Sequence, residues 1–298
     1  MSDLDETVSF FHAPLADGSL PPTATAKSLW NDDQLHGVAV GGAMGRAAEH
    51  EIRARGRDDL RPARVTVDLF RPARVRPCHT RVEVVRESPR LLLLDVVLEQ
   101  DGDGAEDGAG ERVAVARASV LALKATENAP GEVWMPDVGP EVPATEDVPP
   151  SEDVRPPFFW SESVGWSHDF TAYLNAERKQ LWQTVPAVVA GERPSPFVAA
   201  AAVADSTSMV TNWGTGGVEY INTDYSLTLA RLPVGREIGL SATDRVVADG
   251  ISVGTVVLYD RAGRIGSCTV TALANARRAV DFRGTTFTRE GMETAPGV

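Results

Sequence analysis

The sequence predicts an α+β protein in which two tandem antiparallel sheets are each wrapped around a central helix. Three observations carry this reading. First, a strand, one helix-like segment and then four long strand-like runs occur twice, within residues 5–125 and again within 158–277. One helix with its own set of strands, repeated, is a pattern in which each sheet must cover its helix. Second, the turns Ser88-Pro89-Arg90 and Asp260-Arg261-Ala262-Gly263 are too short for crossover connections, so neighbouring strands run antiparallel. Third, residues 127–157 are rich in Pro, Glu and Asp and lack periodicity, which marks an extended linker between the halves. The expected boundaries are a first unit at 1–126, a linker at 127–157 and a second unit at 158–298.

In the first half the helix is expected at 35–51. Its small residues Gly37, Gly41, Gly42, Ala43 and Gly45 suit a helix closely surrounded by sheet. Strands are expected at 63–71, 79–86, 91–98 and 112–123. The second half repeats the order, with a helix at 197–212 and strands at 221–231, 237–247, 251–259 and 265–274. Period-two alternation is visible in Val65-Thr66-Val67-Asp68-Leu69 and in Ser226-Leu227-Thr228-Leu229. The halves overlay when Val38 is laid on Val198. Arg71 then falls on Arg231, and the 30 residues from Arg71 to Asp101 resemble the 29 from Arg231 to Asp260. An acidic hairpin tip is expected at 101–110, and the polar tail at 282–298 is expected to fray.

A chain of 298 residues can bury a large core, and 43% hydrophobic with 24% charged residues is ordinary for a globular protein. The net charge of -13 argues against nonspecific nucleic-acid binding, which needs a basic surface to displace counterions. It leaves room for an anionic ligand held by a local Arg cluster. Cys78 and Cys268 both lie in strand-like runs, so buried free thiols are expected in place of a disulfide framework. The five His are scattered and none has ligand spacing with a Cys, so no metal is expected. The acidic start Met1-Ser2-Asp3-Leu4-Asp5-Glu6 lacks an apolar core of a signal peptide, and no run approaches the roughly 20 apolar residues of a membrane span. A cytoplasmic protein is expected.

One face of the second helix carries Val198, Ala202, Asp205 and Met209 at intervals of four, three and four. Such a face points toward sheet or neighbouring helix, so Asp205 is expected to be partly buried, with a raised pKa and the character of a general base. The overlay puts Gly45 in the place of Asp205, so the first half has no carboxylate there and one site per chain is expected. Glu49 lies four residues further on and is expected to be solvated. There is no Gly-x-Ser-x-Gly elbow, Gly-x-Gly-x-x-Gly or P-loop. Trp213-Gly214-Thr215-Gly216-Gly217 follows a helix and reads as a mobile turn over the site.

Several motifs occur together in order. They are His36-Gly37-Val38-Ala39-Val40-Gly41-Gly42-Ala43-Met44, Asp68-Leu69-Phe70-Arg71-Pro72-Ala73, Ala204-Asp205, the run from Ser226 to Arg231, and Tyr259-Asp260-Arg261-Ala262-Gly263-Arg264. In this order the chain resembles the acyl-CoA thioesterase II-like proteins, which are double hotdogs. The resemblance covers most of the chain. It implies hydrolysis of acyl-CoA by a water molecule held between an Asp, a Thr and a Gln, with no covalent intermediate and no cofactor beyond the CoA of the substrate. Asp205 matches the Asp. The Thr position falls on Asn222, with Thr223 beside it, and the Gln position on Thr271. A homo-oligomer is expected. Free N–H groups at the start of the first helix, that of Gly37 more than the side chain of His36, could polarise the thioester carbonyl. Arg71 or Arg231 at strand ends could meet CoA phosphates. A non-catalytic acyl-CoA or lipid-binding protein on the same fold is the competing reading. A hydratase is weaker, because no His lies in the second helix.

Overall fold

The computed structural model describes residues 8–102, 111–136, 139–280, 282, 285–288 and 291–294. Most of the expected acidic tip therefore lies outside the described residues. The first half contains strand β1 (Ser9–Phe11), helix α1 (Gly37–Ala54) and strands β2 (Leu60–Asp68), β3 (His79–Ser88), β4 (Leu91–Asp101) and β5 (Arg112–Lys124). The second begins with β6 (Phe158–Ser161), β7 (Gly165–Ser167), β8 (Gln180–Thr184) and β9 (Ala187–Val189). Next come α2 (Pro196–Val203), a 3-10 turn at Ala204–Ser206, and α3 (Thr207–Asn212). The remaining strands are β10 (Trp213–Gly214), β11 (Gly217–Val218), β12 (Tyr220–Asn222), β13 (Asp224–Leu229), β14 (Glu237–Ala248), β15 (Ile251–Asp260) and β16 (Gly263–Ala274). In the tail, β17 (Thr285–Thr288) pairs with β18 (Gly291–Thr294), where fraying was expected.

One 12-stranded sheet contains both halves, in the order β3-β4-β5-β2-β13-β16-β15-β14-β8-β6-β7, with β12 also on β16. The eight strands from β3 to β14 form a palindrome, so a pseudo-twofold axis crosses the β2–β13 seam. The seam is antiparallel, with Thr66 opposite Ser226 and their hydroxyls 2.9 Å apart. Adding 160 to a first-half number gives its second-half counterpart from α1 to β4. Thr66 thus meets its own counterpart, and His79 lies opposite Glu99 as Gly239 lies opposite Tyr259. The repeats even share a β-bulge, at Leu98/Glu99 and at Leu258/Tyr259.

The helices lie on the inner face of the sheet. The chain runs α1 against β2–β5, and α3 against β14–β16. Helices α1 and α2 cross at Gly41 and Ala201, again a counterpart pair. A Cβ on Gly41 would overlap the Tyr225 hydroxyl and the Ala201 carbonyl, so only glycine allows this approach. Where one strand was expected ahead of the second helix, β6–β8 widen the second sheet beyond β14. They bring Phe159 and Tyr173 into an aromatic cluster with Trp213, whose ring centroid lies 5.0 and 5.8 Å from theirs. The turn after α3, expected to be mobile, is therefore anchored: Trp213 is buried and pairs with Val218.

The segment 127–157 contains no helix or strand among its described residues. Its second part is docked: Val148 is fully buried against Trp182 and Tyr259, and Arg261 donates to Pro143 O at 2.9 Å and to Val148 O at 2.7 Å. Cys78 and Cys268 are buried free thiols whose pKa values burial pushes up to about 12. No described helix is long and apolar enough to cross a membrane.

Candidate active site

Asp205 sits on the 3-10 turn where the second helix breaks between α2 and α3. The turn lies under the inner face of the second sheet and against the N-terminus of α1. Its carboxylate rests on the first residue of α1: a Cβ on Gly37 would overlap both carboxylate oxygens. Asn222 Nδ2 donates to Asp205 Oδ1 at 2.8 Å. Asp205 Oδ2 has no hydrogen-bond partner among the described residues. Although half-buried by exposed surface, the carboxylate is closely enclosed by protein atoms. Burial raises its pKa to about 6, with the Asn222 hydrogen bond pulling the other way.

A bulge aims Asn222 at this position. Asn222 lies opposite Ala272 while Ser226 lies opposite Thr269, so four steps on one strand face three on β16. The extra residue lets both Asn222 and Tyr225, three apart, face inward. Asp224 closes the bulge by accepting from Thr271 N at 3.2 Å and from Thr223 Oγ1 at 3.0 Å. Buried Tyr225 donates to Ala201 O at 3.1 Å beneath the site.

The helix start supplies donors. The N–H groups of Gly37 and Val38, in the first turn of α1, have no intrahelical acceptor and no other described partner. His36 caps the helix: its Nδ1 accepts from Ala39 N at 3.0 Å, so its Nε2 carries the proton donated to Thr25 O at 2.9 Å. Burial lowers its pKa to about 4, so the ring is neutral with both nitrogens occupied. His36 is a capping residue, and the sequence expectation of a substrate contact from its side chain is corrected.

Three other expected residues are placed differently. Thr271 does not join Asp205 and Asn222. Its neighbours Val270 and Ala272 are buried toward the helices, as is Cys268, whose Sγ reaches Ala204 O at 3.6 Å. Alternation turns Thr271 to the opposite face, and only its backbone touches the bulge. Ala272 is the β16 residue facing Asn222. Thr223 Oγ1 is engaged with Asp224 and with Thr271 O at 3.3 Å. Arg231 donates to both oxygens of fully buried Asp260 at 2.7 Å and lies at the far end of β13 from Asn222, so it is a structural ion pair. Arg71 lies at the site's rim, because Leu69 N donates to Thr223 O at 2.7 Å and Leu35 N to Ala73 O at 2.8 Å.

The first repeat's copy of the site is filled with a different chemistry. Gly45, the counterpart of Asp205, packs on Ala201. Beside it, Arg46 makes a bidentate pair with Glu192, and Ser195, the cap of α2, donates to Glu49 Oε1. Glu49 also pairs with Arg53 at 3.0 Å and its side chain is 15% exposed, so it is not the solvated residue expected. Among the described residues no group of three or more His, Cys, Asp or Glu is arranged to hold a metal ion.

Comparison with known proteins agrees with this architecture. Residues 26–122 match the profile of an acyl-CoA thioesterase N-terminal domain, and residues 136–274 that of an acyl-CoA thioesterase C-terminal domain. Among solved structures, a tesB protein from Mycobacterium avium subsp. paratuberculosis is similar at a TM-score of 0.59 and 15% identity, covering 86% of this chain and 92% of that one. The acyl-CoA thioesterase II TesB2 from Mycobacterium marinum gives 0.56 and 14%, covering 92% and 97%. A hot dog protein of unknown function from Alicyclobacillus acidocaldarius gives 0.58 and 16%, covering 92% and 98%. At these identities the structures speak for the fold. No curated protein matches the chain.

Proposed function

Because the chain belongs to the acyl-CoA thioesterase family and holds a half-buried carboxylate at a helix N-terminus, we propose that it hydrolyses acyl-CoA thioesters with a water molecule activated by Asp205. The observation that carries the reading is the placement of Asp205. One oxygen is fixed by Asn222, the other is free, and the carboxylate rests on Gly37, the first residue of α1, whose N–H and that of Val38 are unpaired among the described residues. In this mechanism Oδ2 takes a proton as the water oxygen attacks the thioester carbon. The oxyanion formed is held by the Gly37 and Val38 N–H groups, which keep the positive end of the α1 dipole toward it. Collapse breaks the C–S bond, the proton passes from Asp205 to the thiolate, and a carboxylic acid and CoA leave. No covalent intermediate forms on the protein. The substituted partner positions are compatible with this scheme: Asn222 orients the carboxylate, and Thr271 has no part in it.

The test is thiol release from short, long, branched and aromatic acyl-CoAs, by the wild-type protein and by Asp205→Ala. Turnover of at least one thioester that collapses in the variant is expected. Tight binding of acyl-CoA without turnover of any of them would move the chain to the non-catalytic binding reading.

A further inference from the structure

The two repeats end their first long strand alike, on Arg71-Pro72 and on Arg231-Leu232-Pro233, but they treat the arginine differently. In the second repeat Asp260 holds Arg231 in a bidentate pair and also accepts from Val234 N at 2.8 Å. Strand register makes Gln100, not Asp101, the counterpart of Asp260, because Glu99 and Tyr259 are equivalent. A matching bond supports this: Gln100 Oε1 accepts from Arg74 N at 2.8 Å, as Asp260 accepts from Val234 N. Buried Gln100 is neutral, and its nitrogen donates to Arg74 O at 2.8 Å and to Arg76 O at 3.1 Å. It offers Arg71 no counter-charge. Arg71 is exposed, its backbone N–H donates to Val115 O at 3.2 Å, and its guanidinium makes no hydrogen bond or ion pair with a described residue.

This released arginine is at the active-site rim. It is two residues from Leu69, which bonds Thr223 beside Asn222, and two from Ala73, which bonds Leu35 beside His36 and Gly37. Each anchor is thus within about 7 Å of chain. On the other side of Arg71 a surface cleft opens between Arg74, Arg76, Gln100, Val113 and Val115. A guanidinium with no ion pair to break can meet a phosphate bidentately, and it is a local positive centre on a chain of net charge -13.

We propose that Arg71, released because Gln100 stands where the second repeat has a carboxylate, binds the phosphate-bearing end of the substrate and makes the site select nucleotide-linked thioesters over small ones. The proposal rests on the thioesterase reading given above. Its test compares an acyl-CoA with the matching acyl-pantetheine, which has the same reacting bond and no phosphate. Arg71→Gln is expected to raise KM for acyl-CoA roughly tenfold or more, the loss of a charged hydrogen bond, with kcat little changed and acyl-pantetheine unaffected. Gln100→Asp is expected to recapture Arg71 and give the same selective loss, and the double variant should be no worse than Arg71→Gln. If Gln100→Asp does not fold, Arg71→Gln decides alone. Equal effects on both thioesters, or none, overturn the proposal while leaving the thioesterase reading intact. If the wild type hydrolyses neither, that reading fails, and calorimetry decides this one. CoA binding weakened tenfold or more in Arg71→Gln, with pantetheine binding unchanged, supports it. Unchanged CoA binding ends it.

Discussion

Asp205 is poised by two opposed effects: burial favours its neutral form, and the Asn222 amide favours its ionised form. A base must be ionised to act, so hydrolysis should rise as pH increases through about 6 and level off above it. Removing the Asn222 donor takes away a hydrogen bond that only the carboxylate uses, which raises its pKa further. The acid limb of the kcat profile in Asn222→Ala should therefore move to higher pH; an unmoved limb would mean that Asn222 does not set the proton affinity of the base. Asp205 was legible in the sequence because its helical face was. Thr271 was misassigned by one step of the strand period, which flips a side chain to the other face. The signal was present in Ser267, Thr269 and Thr271 alternating with Cys268, Val270 and Ala272. The bulge that aims Asn222 inward left no such trace, because it arises from pairing between β12–β13 and β16.

Among the elements, the eight long strands and α1 were legible from period and turn length, which are local properties. The second helix was read as continuous at 197–212, yet it is interrupted by the 3-10 turn that holds Asp205. Its run of alanines carries no breaking signal, the break falls on Asp205 and Ser206, which compete for backbone hydrogen bonds, and the turn packs against α1 and β13. Ahead of the second helix a strand was expected without bounds, and its division into β6, β7 and β8 was not legible, because these runs are short and are set by pairing along β14 and β8. The α1–α2 crossing depends on Gly41, where an added methyl would meet the Tyr225 hydroxyl and a backbone carbonyl. Gly41→Ala should destabilise the protein by about 1–3 kcal/mol, the usual cost of overpacking a close contact. Urea unfolding measures this, and a variant as stable as the wild type would show that the helices can separate without loss.

At the scale of the whole molecule, two copies of one unit are joined across a pseudo-twofold seam and have diverged at their equivalent positions. Asp205 faces the start of α1, while Gly45 faces the start of α2 and leaves that end to the Arg46–Glu192 pair and to Glu49 on Ser195. Arg231 is tied to Asp260, while Arg71 is released by Gln100. The repeat and the loss of the first carboxylate were legible by overlay. The ion pairs that fill the vacated position were not, because Arg46 and Glu192 come together only in the fold. Under the proposed function this asymmetry leaves one working carboxylate per chain. Acyl-CoA hydrolysis by Asp205→Asn beside Glu49→Gln, each at saturating substrate, is the direct test. The amide keeps the shape of Asp205 but cannot take a proton from water, so its rate should fall by about 10²–10⁴ while Glu49→Gln stays near wild type. Equal losses in the two variants, or an Asp205→Asn protein as fast as the wild type, would contradict it.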